Sequence, residues 1–133
     1  MRIIVATTIV VDKPTTNGNI YPRDTIEKAI CEFNNNAKTH PIKGGIINKK
    51  HIAQCGDITH EARSLFINDS GVLCVEVELL DRDLIEKYMN GMGLVARPLI
   101  SIPAYIESHR PMTVSVINKI IRVQLECGND QSE

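Results

Sequence analysis

The sequence predicts an α+β domain whose centre is a mostly antiparallel sheet or small β-barrel, flanked by two helices. The chain has 133 residues, the size of one domain, and 43% of them are apolar. Aromatic residues are only 4%, so Ile, Val and Leu must build the core, which favours strands. Only two segments carry the spacing of an amphipathic helix. We expect one domain over residues 1–126 and a polar tail over 127–133.

The first third of the chain predicts a strand, a loop and a helix. Arg2 to Val11 is a β-branched run, long enough for a strand buried on both faces. The segment 12–21 is rich in Pro, Asn and Gly and predicts a loop. Pro22 can open a helix, because its missing N–H costs nothing there. The helix has one apolar stripe, made by Ile26, Ala29, Ile30 and Phe33. Asn34-Asn35-Asn36 is expected to end it.

The middle of the chain predicts a short strand, a hairpin and a second helix. Ile46-Ile47 forms the short strand, which runs into a polar, basic loop. Residues 58–68 and 72–80 flank Asp69-Ser70-Gly71, the pattern of a β-hairpin. Asp81 can cap the second helix, and Gly91 can end it.

Two extended segments complete the predicted sheet. Leu94 to Tyr105 is apolar but contains Pro98 and Pro103, which indicates an edge strand or a strand broken by a bulge. Thr113 to Glu126 is expected to be one long final strand. One face of that strand would carry Ile117, Ile121, Val123 and Leu125.

Composition argues against several classes of function. Fifteen basic residues against 16 acidic ones give a net charge of −1, so we expect no nucleic-acid partner. The apolar runs are too short to span a bilayer and the N-terminus lacks a signal-peptide pattern, so no membrane partner is expected. The four cysteines form no CxxC pair, which favours thiols in a cytoplasmic protein; they are Cys31, Cys55, Cys74 and Cys127.

Histidine and serine residues are the candidates for chemistry. No histidine has the spacing of a metal site, and no phosphate-binding motif is present, so we predict neither a metal nor a cofactor. The histidines are His40, His51, His60 and His109. His51 follows Ile46-Ile47 in a polar loop, where an imidazole can titrate near neutral pH, although a plain surface histidine fits equally well. Ser101 is a candidate nucleophile or a small residue bonded to backbone.

One stretch of sequence resembles a known family. Asn17-Gly18-Asn19-Ile20-Tyr21-Pro22-Arg23, followed by Ile26-Glu27-Lys28-Ala29, is similar to the signature of tailed-phage prohead proteases of the T4 type. Gly44 to Asn48 resembles the family's strand before its catalytic histidine, and 58–80 resembles its hairpin. Leu99 to Ile102 falls where that family's strand carries its serine. The resemblance extends over most of residues 3–125.

The resemblance implies a fold, an activity and a place of action. It implies the fold shared with herpesvirus assemblins and a serine endopeptidase that acts in head assembly or on other phage or host proteins. By the same resemblance Ser101 is the nucleophile and His51 the general base. Glu107 or His109 is the candidate third member. The host cytoplasm, or the inside of the prohead, is the expected location.

A second interpretation is a catalytically inactive binding or regulatory module with the same fold. Branched residues and prolines surround Ser101, and Pro103 offers no N–H to an oxyanion hole. For this module the expected partner is a protein, whereas the enzyme would bind a peptide substrate. The strand from Leu99 to Tyr105 is the expected contact surface of the module. A homo-oligomer is compatible with both interpretations. A metal-binding domain that uses the scattered Cys and His residues is a third.

Overall fold

The computed structural model describes residues 1–47, 58–103 and 112–127. The elements of these residues are β1 Arg2–Val10, β2 Asn19–Ile20, α1 Arg23–Thr39, β3 Ile42–Gly44, β4 His60–Ile67, β5 Val72–Leu79, α2 Arg82–Met89, β6 Leu94–Ser101, β7 Met112–Thr113 and β8 Lys119–Cys127. The predicted order of strands and helices is confirmed, and the short pair β2 and β7 is added to it. The short strand predicted at Ile46-Ile47 lies earlier, at Ile42–Gly44, and Ile46 makes only an isolated bridge.

The six longer strands form one sheet that curls into a nearly closed barrel. The strand order is β3-β4-β5-β1-β6-β8. The neighbours pair antiparallel, except that β1 runs parallel to β6 through the pair Thr7 and Ala96. Closure comes from a parallel bridge between Ile46 and Leu125. The α+β class with two helices and a barrel-like sheet is therefore confirmed, whereas "mostly antiparallel" is only partly right, because the sheet is mixed.

The first strand differs from the prediction of burial on both faces. Val5, Thr7 and Ile9 are buried, while Ile4, the residue before Val5, is 63% exposed. Alternate side chains of a strand point to opposite faces, so β1 has one face in the barrel core and one in solvent. The β-branched run therefore reflects strand propensity rather than two-sided burial.

The first helix continues beyond the predicted stop at Asn34-Asn35-Asn36 and ends at Thr39. Ala37 is buried, four residues after Phe33, and extends the apolar stripe by one turn. The Asn34 amide donates through Nδ2 to the Leu65 carbonyl at 3.0 Å and accepts from the Leu65 N–H at 2.8 Å. The pairing of β4 with the short strand β3 ends at Ala62. Beyond that point, Asn34 forms the hydrogen bonds with the β4 backbone at Leu65.

The second helix begins as predicted. The Asp81 carboxylate accepts a hydrogen bond from the Leu84 N–H at 2.9 Å, and Leu84 is buried. Gly91, with φ +100°, follows the helix, a conformation that glycine adopts without strain. Neither helix in the described part of the chain is long and apolar enough to cross a membrane.

The last strands correct two further predictions. The prolines suggested an edge strand or a bulge; β6 is not an edge, because it lies between β1 and β8, but a bulge occurs after Leu99. The predicted final strand is divided into β7 and β8. The bulge also places Ile120 in the core and leaves Ile121 39% exposed, the reverse of the predicted face.

Candidate functional site

Ser101 is the last residue of β6, at one end of the barrel. Its register partner on β8 is Lys119, which is exposed, while Ser101 itself is half-buried. Residues directly opposite each other in an antiparallel pair share a face of the sheet. The Ser101 side chain therefore lies on the outer face of the barrel, beside the Lys119 side chain.

The polar contacts of Ser101 come from the chain just before β8. The Asn118 N–H donates to the Ser101 carbonyl at 2.8 Å, and the Asn118 Nδ2 lies 3.4 Å from the Ser101 Oγ. An amide group can hold a hydroxyl or a developing negative charge, but it cannot remove the hydroxyl proton. The described hydrogen-bond partner and register partner of Ser101 thus provide donors and a cation rather than a base.

His60 is fully buried, on the partner strand of Gly44. Its Nε2 donates to the Val123 carbonyl at 2.7 Å, so its Nδ1 accepts from the Thr59 hydroxyl at 3.0 Å. Burial lowers the pKa of His60, and the bond to the Val123 carbonyl opposes this in part. A Cβ on Gly44 would lie 2.7 Å from the His60 Nε2, so glycine makes room for the ring.

His60 is therefore a structural link between β4 and β8 and not a base for Ser101. Both ring nitrogens are occupied by hydrogen bonds. Val123 lies four residues along β8 from Lys119, the partner of Ser101. At the rise of a β-strand this is roughly 13 Å.

The other predicted site residues, His51, Glu107 and His109, lie outside the described residues. Ile47, the last described residue before His51, donates its N–H to the Leu125 carbonyl at 2.9 Å. Leu125 and Lys119 are at opposite ends of β8. The distance between them along the strand is roughly 17–20 Å when the bulge is considered.

A groove of about 350 Å³ lies beside the half of β6 that leads to Ser101. It forms because β1 and β6 pair at Thr7 and Ala96 and then separate. The groove lies beneath the loop before α1, and its lining is Thr8, Ile9, Thr15, Thr16, Asn17, Tyr21, Arg97, Pro98, Leu99 and Ile100. Beyond Ala96, β6 no longer pairs with β1, so the missing N–H of Pro98 costs no hydrogen bond between these two strands. The groove offers both hydroxyl groups and apolar surface to an extended peptide.

Metal-ligating side chains do not converge in residues 1–47, 58–103 and 112–127. These ranges contain no group of three or more His, Cys, Asp or Glu side chains that could hold an ion. Among the described cysteines, Cys31 is exposed, and Cys74 and Cys127 are buried. Burial raises the pKa of the Cys74 thiol, which keeps it protonated and unreactive.

The barrel with two helices defines the class of fold, and comparison with solved structures relates it to a viral protease. The structure of the capsid assembly protease gp21 of bacteriophage T4 superimposes with a TM-score of 0.61 and 16% sequence identity. The match covers 96% of this chain and 81% of that one. No protein-family model and no curated protein matches the sequence. At this identity the likeness shows a shared fold.

Sequence reasoning missed two residues beside Ser101. The predicted final strand runs through Asn118 and Lys119, but in the structure Asn118 precedes β8 and Lys119 is its first residue. Their nearness to Ser101 depends on the pairing of two strands 17 residues apart. The adjacent polar pair inside an apolar segment was the available signal.

Proposed function

We propose that this chain is a phage capsid-assembly protein that has the fold of a prohead protease and acts by binding protein rather than by cutting it. The observation that carries this proposal is the surroundings of Ser101. Among the described residues, its hydroxyl has Asn118 at 3.4 Å and Lys119 beside it in register, and it makes no hydrogen bond with a histidine. The fold likeness to the T4 capsid assembly protease supports the role in assembly.

The position of Ile47 also favours binding over catalysis. A chain of four residues spans at most about 14 Å. Position 51 is four residues from Ile47, which lies beside Leu125 at the far end of β8 from Ser101. Four residues of backbone span less than the roughly 17–20 Å that separate the two ends, so a His51–Ser101 dyad would depend on the two side chains to cover the rest.

The groove between β1 and β6 is the surface that we assign to the partner. An extended segment of a phage or host protein fits the space where these strands separate, because exposed strand backbone offers hydrogen bonds to a further strand. Leu99 is 46% exposed at its margin and offers an apolar contact. The chain would act in the host cytoplasm or inside the prohead, alone or as a homo-oligomer.

A serine endopeptidase is the second candidate, and the likeness to a protease over 96% of the chain favours it. In that case the Ser101 Oγ attacks the scissile carbonyl while His51 takes its proton. His51 then gives the proton to the leaving amine, and water releases the acyl group in a second step. Glu107 or His109 would orient His51.

A fluorophosphonate probe distinguishes the two candidates, because it labels only a serine that a base activates. The probe is added to the folded protein and to Ser101→Ala, with an active serine protease in the same buffer as the positive control. Purified scaffold and head proteins are incubated with both variants in parallel. We expect no labelling and no cleavage. Labelling that disappears in Ser101→Ala would establish the endopeptidase instead.

Binding is measured separately by co-sedimentation of the chain with the same scaffold and head proteins. We expect the chain to sediment with at least one of them. Leu99→Asp in the groove should weaken that association, whereas Ile4→Asp on the exposed face of β1 should not. Equal binding by both variants would show that the groove is not the contact surface.

A further inference from the structure

A second cleft, of about 340 Å³, lies between the last turn of α1 and the start of β8. Its lining is Phe33, Asn36, Thr39, His40, Ile42, Lys119, Ile120 and Ile121. Phe33 and Ile120 are buried and form the base of the cleft. Ile121 is 39% exposed and Ile42 is half-buried, so apolar surface is accessible beside polar groups. The cleft can therefore hold an apolar side chain between α1 and β8.

Lys119 of β8 lines this cleft, and two further exposed cations adjoin its lining in sequence: Lys43 follows Ile42 on β3, and Arg122 follows Ile121 on β8. We call these three cations the basic rim. Lys43 and Arg122 are neighbours, because they precede Gly44 and Val123, whose backbones lie in contact on adjacent strands. Ion pairs of the described residues include none of the three.

Acidic side chains do not neutralise the basic rim. Glu61 is the register partner of Lys43, but its carboxylate already pairs with Arg63 at 3.4 Å. The register partners of Arg122 and Lys119 are Leu99 and Ser101, which carry no charge. Among the described residues the lining of the cleft contains no Asp or Glu. The chain has a net charge of −1, so this positive surface is local.

We propose that this cleft binds an acidic segment of a partner protein that also carries a branched apolar side chain. The apolar side chain would contact Ile121 and Ile42, and carboxylates on either side would pair with Lys119 and Arg122. Charge complementarity of this kind directs association and selects the partner. The site is distinct from the β1–β6 groove, and it goes beyond the function proposed above because it specifies the chemistry of a partner.

An acidic peptide fits the cleft better than a nucleic acid does. Single-stranded nucleic acids bind where exposed aromatic rings stack on bases along a basic groove. In the described lining, Phe33 is 3% exposed and cannot stack on a base, and the single exposed ring, His40, does not make a row of stacking platforms. The three cations of the basic rim and the apolar floor of the cleft instead match carboxylates that flank an aliphatic side chain.

Fluorescence anisotropy with labelled model peptides tests the proposal on the full chain. The first peptide has ten residues, with Asp and Glu on both sides of a central Leu. In the second, Asn and Gln replace the acids; in the third, Ser replaces the Leu. A ten-nucleotide single-stranded DNA is the fourth probe. The protein variants are Lys119→Glu, Arg122→Glu and their double variant, with Lys28→Glu on the exposed first half of α1 as the matched control.

We expect the acidic Leu peptide to bind more tightly than the other three probes and to weaken as salt rises from 50 to 250 mM. Each rim reversal should lower the affinity about threefold to tenfold, since exposed charge pairs contribute modestly, and the double variant should lower it further. Lys28→Glu should not change it. Equal loss with Lys28→Glu, equal binding of the neutral peptide, or tighter binding of the DNA would overturn the proposal. Ultraviolet circular dichroism of each variant confirms that it is folded. Probe labelling at Ser101 does not enter this test, so its outcome is independent of the proposed function.

Discussion

Replacement of Asn34 by Ala is the most direct test of how α1 completes the barrel. The Asn34 amide makes two hydrogen bonds to the Leu65 backbone, at 2.8 Å and 3.0 Å, in a part-buried position. Leu65 itself is 2% exposed, so little water can reach the backbone groups that the substitution leaves behind. The substitution keeps the helix intact but removes the hydrogen-bond partners of the Leu65 N–H and of the Leu65 carbonyl.

The expected loss of stability is about 1.5–2.5 kcal/mol. An unpaired buried backbone group costs about 1–3 kcal/mol, and a value near the lower end applies to each of the two because the site is part-buried. Alanine is the better helix former by about 0.6 kcal/mol, which offsets a small share of this loss. Asn34→Asp keeps the acceptor for the Leu65 N–H but places a carboxylate oxygen against the Leu65 carbonyl. It should therefore be no more stable than Asn34→Ala.

Urea denaturation followed by circular dichroism measures the free energy of unfolding of each variant. Asn35→Ala is the matched control, because Asn35 is exposed on the same turn and shares the propensity gain without the contacts. We expect Asn35→Ala to be as stable as the natural chain or slightly more so. If Asn34→Ala and Asn35→Ala unfold at the same urea concentration, the Asn34 bridge contributes nothing and our account of the end of the barrel is wrong.

Three further predictions concern the barrel and its second helix. Since burial holds the pKa of His60 below 6.5, the unfolded chain binds a proton that the folded chain excludes, and the free energy of unfolding should fall as pH drops below 6.5. NMR titration of the ring checks this, and a His60 pKa at or above 6.5 would contradict it. Gly44→Ala should destabilise the chain by about 2–3 kcal/mol in urea, because its Cβ would lie 2.5 Å from the Val123 carbonyl oxygen; an unchanged midpoint would refute the crowding. Asp81→Ala should cost about 1 kcal/mol by removing the cap on Leu84, and Asp81→Ser should restore most of it; equal losses in both would exclude a capping role.

Local patterns were sufficient to predict the elements but not where some of them end. The alternation around Asp69-Ser70-Gly71 identified the hairpin, and the apolar stripe identified α1. The stop at Asn34 was wrong, because the local preference of asparagine for turns was outweighed by a tertiary contact with Leu65. Ala37, an apolar residue four positions after Phe33, was the sequence signal that the helix continues, and it is buried.

The candidate site was less predictable, because it depends on strand order. The parallel pairing of β1 with β6 and the closure through Ile46 and Leu125 join residues about 80–90 positions apart. Neither is visible in hydrophobic periodicity, which reports on one segment at a time. Ser101 was correctly placed at a strand, but its neighbours Asn118 and Lys119 follow from the bulged register of β6 and β8.

The separation of β1 from β6 divides the barrel into two parts with different freedom to change. The four strands β3, β4, β5 and β1 keep their register through antiparallel pairs with one another, whereas β6 and β8 pair with each other over their whole length. Within the described residues, β6 meets β1 in register at the single pair Thr7 and Ala96. Substitutions on the outer face of this two-stranded unit, around Ser101 and along the basic rim on β8, can therefore accumulate without disturbing the pairing of the other four strands. The fold can thus persist while the chemistry at the end of β6 changes.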